Sequence, residues 1–490
     1  MDYVRLHASL RADSPAVTDL AFNRQWTYGE LDHLIAGCTA LLQEKGVSEG
    51  DRVACLSKNR AEFIMLHLAS ARLGAIFVPL NWRLSAAELE VIIADCSPSL
   101  IYGDDLATEL KVEAQDIEQL LPQCEKRNPV WPPQPSVDLP SLMLYTSGTT
   151  GKPKGVLLSE RNLTETAINF CLLGEVEPGS RFLCESPMFH IIGMVTSVRP
   201  PLFLGAQIII SDRFLPERTL ERLADKDLQI SHYFCVQQMA LAMRAVDVFD
   251  ASSLCGLKAI FTGGAPHPEA QIREWLDDGI PIVDGFGMSE AGTIFGMPLN
   301  RNLIDQKAGS VGIPTPRLQS RIADESGRAL PDNEAGELQL KGDNVTVGYW
   351  NRDSVYADSF TLDGWFKTGD ILRRDEDGYF WVVDRKKDMF ISGGENVYPV
   401  EVEAQLVKFP GLKDLAVIGV PDEKWGEVGC LYYVPKEAGW EIDMAELDSF
   451  LTSRLARYKI PKKAVAVESL PRNGVGKLMR HELRKLTVSE

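Results

Sequence analysis

The sequence predicts an α/β protein: a large amino-terminal part of α/β subdomains that ends in a small β-barrel-like piece, followed by a smaller α+β part. Three observations predict it. Helical patterns alternate with short β-branched runs up to about residue 298, at the spacing of parallel α/β units. Over residues 311–383 that alternation gives way to short strands joined by turn signals at 324–327 and 375–378. Past the charged run Asp384-Arg385-Lys386-Lys387-Asp388 the pattern changes once more. At about 150 residues per domain, 490 residues make roughly three folding units, and a 45% apolar composition fills their cores and excludes disorder.

The first elements are a helix over 31–45, a strand at 52–57, a helix over 62–73 and a strand at 75–79. A Pro-rich stretch, 129–140, then reads as a surface crossing. Beyond the charged run come a strand at 389–392, a helix opened by Pro399, strands at 415–420 and 430–434, and a helix over 444–455. This places the domains at 1–386 and 387–490. There is no repeat and no low-complexity tract.

The charge balance, 51 Lys and Arg against 69 Asp and Glu for a net −18, argues against nucleic acid and anionic lipid as partners, since the summed field repels polyanions. Small anions in local pockets remain compatible. The amino terminus has no basic-then-apolar leader pattern. The most apolar region, 191–210, is interrupted by Arg199, Pro200 and Pro201, so no transmembrane segment is expected. Nine cysteines, an odd number without a CxxC pair, fit a reducing compartment better than a disulfide or zinc scaffold. A cytoplasmic location is the expectation.

The strongest chemical signal is YTSGTTGKPKG at 145–155. Thr146, Ser147, Gly148, Thr149, Thr150 and Gly151 bring hydroxyls and open backbone amides to one tight loop, and Lys152 and Lys154 add charge. A polyphosphate cradle needs that composition. The loop is not of the Walker A kind, because Pro153 stands where Ser or Thr belongs and the following residues are strand-like. A bland hairpin turn seldom needs so many hydroxyls.

With this loop the sequence resembles the adenylate-forming superfamily, which includes acyl-CoA synthetases, the adenylation domains of peptide synthetases and beetle luciferase. The resemblance recurs in order along nearly the whole chain. It implies that the loop holds the β- and γ-phosphates of ATP. In PMFHIIGM, 187–194, His190 is implied as a gate near the acyl channel. Amino-acid-activating relatives carry an Asp there for the substrate ammonium, so its absence points to an acid without an α-amine. In TGGAPH, 262–267, Gly264, Ala265 and Pro266 are implied as one wall of the adenine and acyl pocket, where paired glycines let a planar base lie on the backbone.

GFGMSE, 285–290, begins like a dinucleotide fingerprint but has Glu290 in place of the third glycine, so that reading fails. The resemblance instead implies nucleotide contacts from Gly285, Phe286, Gly287 and Met288, Ser289 facing the α-phosphate, and Glu290 holding Mg²⁺ together with Thr146. Magnesium favours one or two carboxylates plus phosphate oxygens. In WFKTGD, 365–370, Asp370 is implied as acceptor for the ribose hydroxyls, with Arg385 on the same ribose. In DRKKDMFISGGENVYP, 384–399, Lys387 falls at a hinge about which the small domain turns, and Gly393 and Gly394 flank the pantetheine passage. Relatives begin this motif with Gly where Asp384 stands. Finally PRNGVGK, 471–477, ends on Lys477, the implied adenylation lysine, in a pliable loop where Val475 replaces the usual Thr.

The resemblance therefore implies ATP-dependent activation of a carboxylic acid to acyl-AMP, with Mg²⁺, followed by transfer to coenzyme A. The segments SGGENVYPVEVE and PDEKWGE are most similar to bacterial fatty acyl-CoA synthetases, which makes a fatty acid the expected substrate. The tail pocket is expected to involve residues 232–239, Gly263, Gly264 and Met288. Gln237-Gln238, where relatives often have Pro and Thr, keeps an aryl or polyketide-type acid open. An acyl carrier protein is an alternative acceptor. A luciferase-like monooxygenase would emit light, and a non-catalytic binding protein would be expected to have lost Lys477, Glu290 or the glycine loop.

Overall fold

The computed structural model describes residues 2–487 apart from 148–152, 255, 265–266, 386–387, 393–394, 423, 438, 453 and 474–475, and apart from the side chains of 147, 385, 395, 396 and 487. The chain divides into two compact units, Met1–Gln319 with Lys341–Phe366, and Ser320–Leu340 with Lys367–Glu490.

The first unit is built on two sheets. Its helix Tyr28–Glu44 starts at a capping box in which Thr27 and Glu30 satisfy each other's backbone amides. Leu31, Leu34, Ile35, Cys38, Leu41 and Leu42 then recur at helical spacing and are buried. Helix Glu62–Arg72 is buried almost all round. Its first residue, Glu62, is a buried carboxylate matched by Arg60 at 3.0 Å and Arg24 at 2.8 Å. Both helices share one core with residues from both sheets.

The seven-stranded sheet runs Gly348–Tyr349, Pro153–Ser159, Pro140–Ser147, Ile76–Pro79, Arg52–Leu56, Leu100–Gly103, Gln115–Asp116. Its central strands pair in parallel and read as continuous apolar runs because both faces are covered. Residues 126–139 carry no helix or strand and none is buried, as a surface crossing requires.

The nine-stranded sheet has a parallel centre: Ile282–Met288, Ala259–Thr262, His232–Cys235, Arg181–Cys184, Gln207–Ile210 and Pro15–Asp19. The strands Gly292–Gly296 and Ile313–Pro314 extend one side, and Arg24–Thr27 closes the other. In register, Cys235 pairs with Thr262 and Thr262 with Asp284. The motifs that follow these strands therefore leave the same carboxyl edge of the sheet, where open α/β sheets bind ligands.

The stretch expected to be barrel-like supplies a four-stranded sheet, Gln319–Ala323, Ala335–Lys341, Phe366–Arg374, Phe380–Arg385, while Ile313–Pro314 and Gly348–Tyr349 join the two large sheets. Most of the four-stranded sheet falls in the carboxy-terminal unit. That unit also holds a five-stranded sheet around the long antiparallel pair Leu412–Asp422 and Gly426–Pro435. Alternate residues go to opposite faces: Val417, Leu431 and Tyr433 join the core with helices Pro399–Leu406 and Met444–Thr452, while Ala416, Ile418, Cys430 and Tyr432 pack with Leu470 and Leu483. Among the described residues no helix is long and apolar enough to cross a membrane. The eight described cysteines are buried and free.

Candidate functional site

In the first unit the expected phosphate loop lies between two antiparallel strands, Pro140–Ser147 and Pro153–Ser159, with Thr146 opposite Lys154. The loop residues Gly148, Thr149, Thr150, Gly151 and Lys152 lie outside the described residues, as does the side chain of Ser147. Gly155 is required by packing, because a Cβ there would stand 2.6 Å from Met143 Sδ and 3.2 Å from Trp350 Cβ. The Lys154 ammonium sits 4.7 Å above the ring of Tyr349. Tyr349 in turn donates its phenol to Glu290 Oε1 at 3.0 Å. Thr346 N–H donates to the Glu290 carbonyl at 2.6 Å, and Asn344 Nδ2 to the Ala291 carbonyl at 2.7 Å. Glu290 is followed by the strand Gly292–Gly296, so it does not begin a helix. Ser289 beside it is buried.

A second group of predicted residues surrounds an apolar cavity at the carboxyl edge of the nine-stranded sheet. His190, Gly263, Gly264, Gly285, Phe286 and Gly287 line it, together with Phe170, Phe234, Phe261 and Phe295. Phe170 and Phe261 approach to 5.0 Å between centroids, and Phe234 stacks on Phe261 at 6.2 Å and 14°. Gly264 has φ +89°, a left-handed backbone that favours glycine. Met288, Ser289 and Glu290 continue past the cavity and do not line it. Ala265 and Pro266 lie outside the described residues.

Of the 232–239 segment, Phe234 lines the cavity, but His232 is sandwiched between Phe182 and Phe261 at 4.5 and 5.6 Å with Nε2 2.8 Å from the Gly174 carbonyl, and Gln237 bonds Gln271. Position along the strand separates them: His232 and Phe234 share a face, but Phe234 stands two residues nearer the carboxyl edge.

Two polar residues that the sequence reading did not assign to the site, Thr262 and Asp284, stand at this wall, and His267 bonds to both. Asp284 lines the cavity, nearly fully buried, and accepts from Thr262 Oγ1, Gly285 N–H and His267 N–H, each at 3.1 Å. Burial pushes its carboxyl up to about 7 although those three bonds favour the charged form. His267 Nδ1 lies 3.2 Å from Thr262 Oγ1, its Nε2 has no hydrogen-bond partner among the described residues, and burial lowers the ring to about 4. The available signal was positional: Asp284 immediately precedes GFG, and His267 closes TGGAPH.

The carboxy-terminal unit holds the remaining predicted residues. Asp370 and Arg385 face each other in register on the antiparallel strands Phe366–Arg374 and Phe380–Arg385, and Asp370 is 4% exposed. Lys387, Gly393 and Gly394 lie outside the described residues, as does the side chain of Arg385. Asp384, which replaces the family's glycine, is buried and accepts Val400 N–H at 3.1 Å.

Lys477 sits on a small hairpin in which Arg472 bridges to Leu478. Asn473 N–H donates to the Lys477 carbonyl at 2.8 Å, and Lys477 N–H to Asn473 Oδ1 at 2.9 Å. Arg472 grips Asp414 through two 2.9 Å bonds and donates to the Gly476 carbonyl. Three residues on, Arg480 is bidentate to Glu403 at 2.7 Å and 3.9 Å from Asp388. Arg472 and Arg480 thus anchor the chain on either side of Lys477.

Among the described residues no cluster of three or more His, Cys, Asp or Glu could hold a metal by itself. The Glu290 carboxylate, polarised by one phenol, fits a hard cation that takes most of its ligands from phosphate and water.

In sequence and in fold the chain is similar to known proteins. Residues 4–350 match the family described as AMP-binding enzyme, and residues 401–477 match the AMP-binding enzyme C-terminal domain. The chain is 38% identical to a feruloyl-CoA synthase of Amycolatopsis sp over 94% of its length and 93% of that protein's. It is 33% identical to the long-chain-fatty-acid–CoA ligase FadD13 of Mycobacterium tuberculosis, covering 98% and 97% of the two chains. A solved structure of o-succinylbenzoate CoA synthetase from Bacillus subtilis, in complex with its acyl-adenylate intermediate, superposes with TM-score 0.87 at 30% identity, covering 99% of this chain and 98% of that one.

Proposed function

The chain belongs to the AMP-binding enzyme family, and from that premise we propose that it joins an aromatic monocarboxylic acid to coenzyme A through an acyl-adenylate. The observation that carries the substrate class is the wall of phenylalanines: Phe170, Phe234, Phe261 and Phe295 present flat faces and edges around one cavity, a slot suited to a planar ring. No Lys or Arg lines that cavity among the described residues, which supports an acid without a second carboxylate. The similarity to a protein named feruloyl-CoA synthase supports the same reading. The similarity to FadD13 favours a second reading, a fatty acid.

A carboxylate is a poor acyl donor. In the first step it attacks the α-phosphorus of ATP, a P–O bond forms, and pyrophosphate leaves with the electrons of the broken bond. The protein's work is alignment and charge neutralisation. Lys154 and the 148–152 loop hold the pyrophosphate side, and Lys477 meets the α-phosphate and the incoming carboxylate. A fixed donor in such a site is worth about 3–4 kcal/mol of transition-state stabilisation. Glu290 with Thr146 would hold Mg²⁺, whose contribution when bound is to neutralise phosphate charge. Asp370 and Arg385 take the ribose. In the second step the carboxy-terminal part turns about Lys387, withdraws Lys477 and admits the thiol of coenzyme A, which attacks the acyl carbon and releases AMP.

Pyrophosphate and AMP release measured with aryl acids and with fatty acids of graded length, with coenzyme A, with an acyl carrier protein and with neither, tests the proposal. Aryl acids should give the highest kcat/KM, and AMP release should require coenzyme A. A higher kcat/KM for long aliphatic acids would overturn the substrate class, and turnover only with the carrier protein would overturn the acceptor.

A further inference from the structure

A buried phenol stands between the lysine after the phosphate loop and the carboxylate of Glu290. Tyr349 is 5% exposed, and its hydroxyl donates to Glu290 Oε1 at 3.0 Å. The Lys154 ammonium lies over its ring at 4.7 Å. One side chain therefore touches both charges, with its π face toward the cation and its proton toward the anion.

The backbone fixes where that side chain stands. Tyr349 pairs with Val156 and Gly348 with Leu157, on the strand that leaves the phosphate loop. Thr346 Oγ1 donates to the Leu157 carbonyl at 2.6 Å while its N–H donates to the Glu290 carbonyl at 2.6 Å. The segment 344–349 thus ties the strand carrying Lys154 to the residue carrying the acid. Packing alone asks only for a ring, and Tyr356 supplies an edge contact at 6.3 Å and 79°. The hydroxyl does something a phenylalanine would not. It occupies one of about four lone-pair sites on the Glu290 carboxylate and so orients the group.

Resting on the adenylation reading above, we propose that Tyr349 is a positioning residue for that step: it holds the Glu290 carboxylate and the Lys154 ammonium in a fixed relation and so sets how tightly the enzyme–ATP complex binds its divalent cation. Groups that orient a metal-binding carboxylate typically govern metal affinity by 10–100-fold.

The test uses the full chain and Mn²⁺ as the probe, read by its electron paramagnetic resonance signal in the presence of ATP. Tyr349→Phe keeps the ring, the packing and the seat of Lys154, and removes the hydroxyl alone. Mn²⁺ affinity should fall about tenfold or more, with the thermal midpoint, ATP affinity without metal and KM for the acid little changed. Tyr349→Leu should in addition weaken metal-free ATP binding, because the ammonium loses its ring. Wild-type Mn²⁺ affinity in a folded Tyr349→Phe variant would overturn the proposal and leave Tyr349 a packing residue. If the wild-type enzyme itself shows no metal-dependent ATP–pyrophosphate exchange, the adenylation reading fails instead, whatever the variants do.

Discussion

The Asp284 carboxyl offers a direct reading of the cavity wall's electrostatics. It is 3% exposed, its three donors Thr262 Oγ1, His267 N–H and Gly285 N–H are all uncharged, and burial raises it from an ordinary 3.8 to about 7. A group whose pKa is higher in the folded chain than in the unfolded one favours folding while it is protonated. That contribution is complete below pH about 4 and is lost as the pH rises to about 7. Asp284→Asn keeps the shape and one of the two accepting oxygens and cannot ionise. At ~1.4 kcal/mol per pH unit, the wild-type chain should lose about 4 kcal/mol relative to the variant across that window. His267, lowered to about 4, has the opposite sign, its contribution being lost as pH falls from 6.5, and it cancels because both proteins contain it. The assay is the thermal midpoint of each protein from pH 4 to pH 8, with the difference plotted against pH. The variant should gain on the wild type up to pH about 7 and hold a constant lead beyond it. A flat difference, or one that shrinks as pH rises, would refute the assignment of a raised carboxyl at this wall.

Lys477→Ala should lower ATP–pyrophosphate exchange several hundredfold, the value of about 3–4 kcal/mol, yet spare thioester formation from supplied acyl-adenylate; equal loss of both half-reactions in a folded variant would count against a lysine that serves only the first. Glu403→Ala strips the partly buried Arg480 of both 2.7 Å bonds and should destabilise the carboxy-terminal unit by about 2 kcal/mol, read as faster hydrogen exchange in the strands Leu412–Asp422 and Gly426–Pro435. Phe234→Ala removes one ring from the cavity wall, and kcat/KM for a preferred aryl acid should fall about tenfold while bulkier acids gain; unchanged selectivity would place the substrate elsewhere.

Much of this protein was legible without coordinates because its signals are local. The alternation of apolar periods gave helices at Tyr28–Glu44 and Glu62–Arg72 and strands at Arg52–Leu56 and Ile76–Pro79 within a few residues of expectation. The loop between two strands followed from the strand-like residues 156–158 after Pro153. Ends were less legible. The strand expected at 430–434 extends over Gly426–Pro435, because pairing with Leu412–Asp422 and not composition sets its length. The surroundings of His232 were not legible either, since a histidine beside a cavity and one stacked between two phenylalanines look alike in a string of letters.

The amino acids by themselves determined which chemistry is present: a hydroxyl- and glycine-rich loop, carboxylates at 290 and 370 and an ammonium at 477. Those are properties of side chains at fixed spacing, and spacing survives in one dimension. Only the folded chain decided which of them act on one another. Asp284, Thr262 and His267 meet because two parallel strands share a register, and Lys154 and Glu290 meet through Tyr349, which lies far from both in sequence. Burial and charge pairing depend on distance in space, and it is there that a surface-like Asp becomes a titrating wall and an ordinary Tyr becomes a bridge between opposite charges.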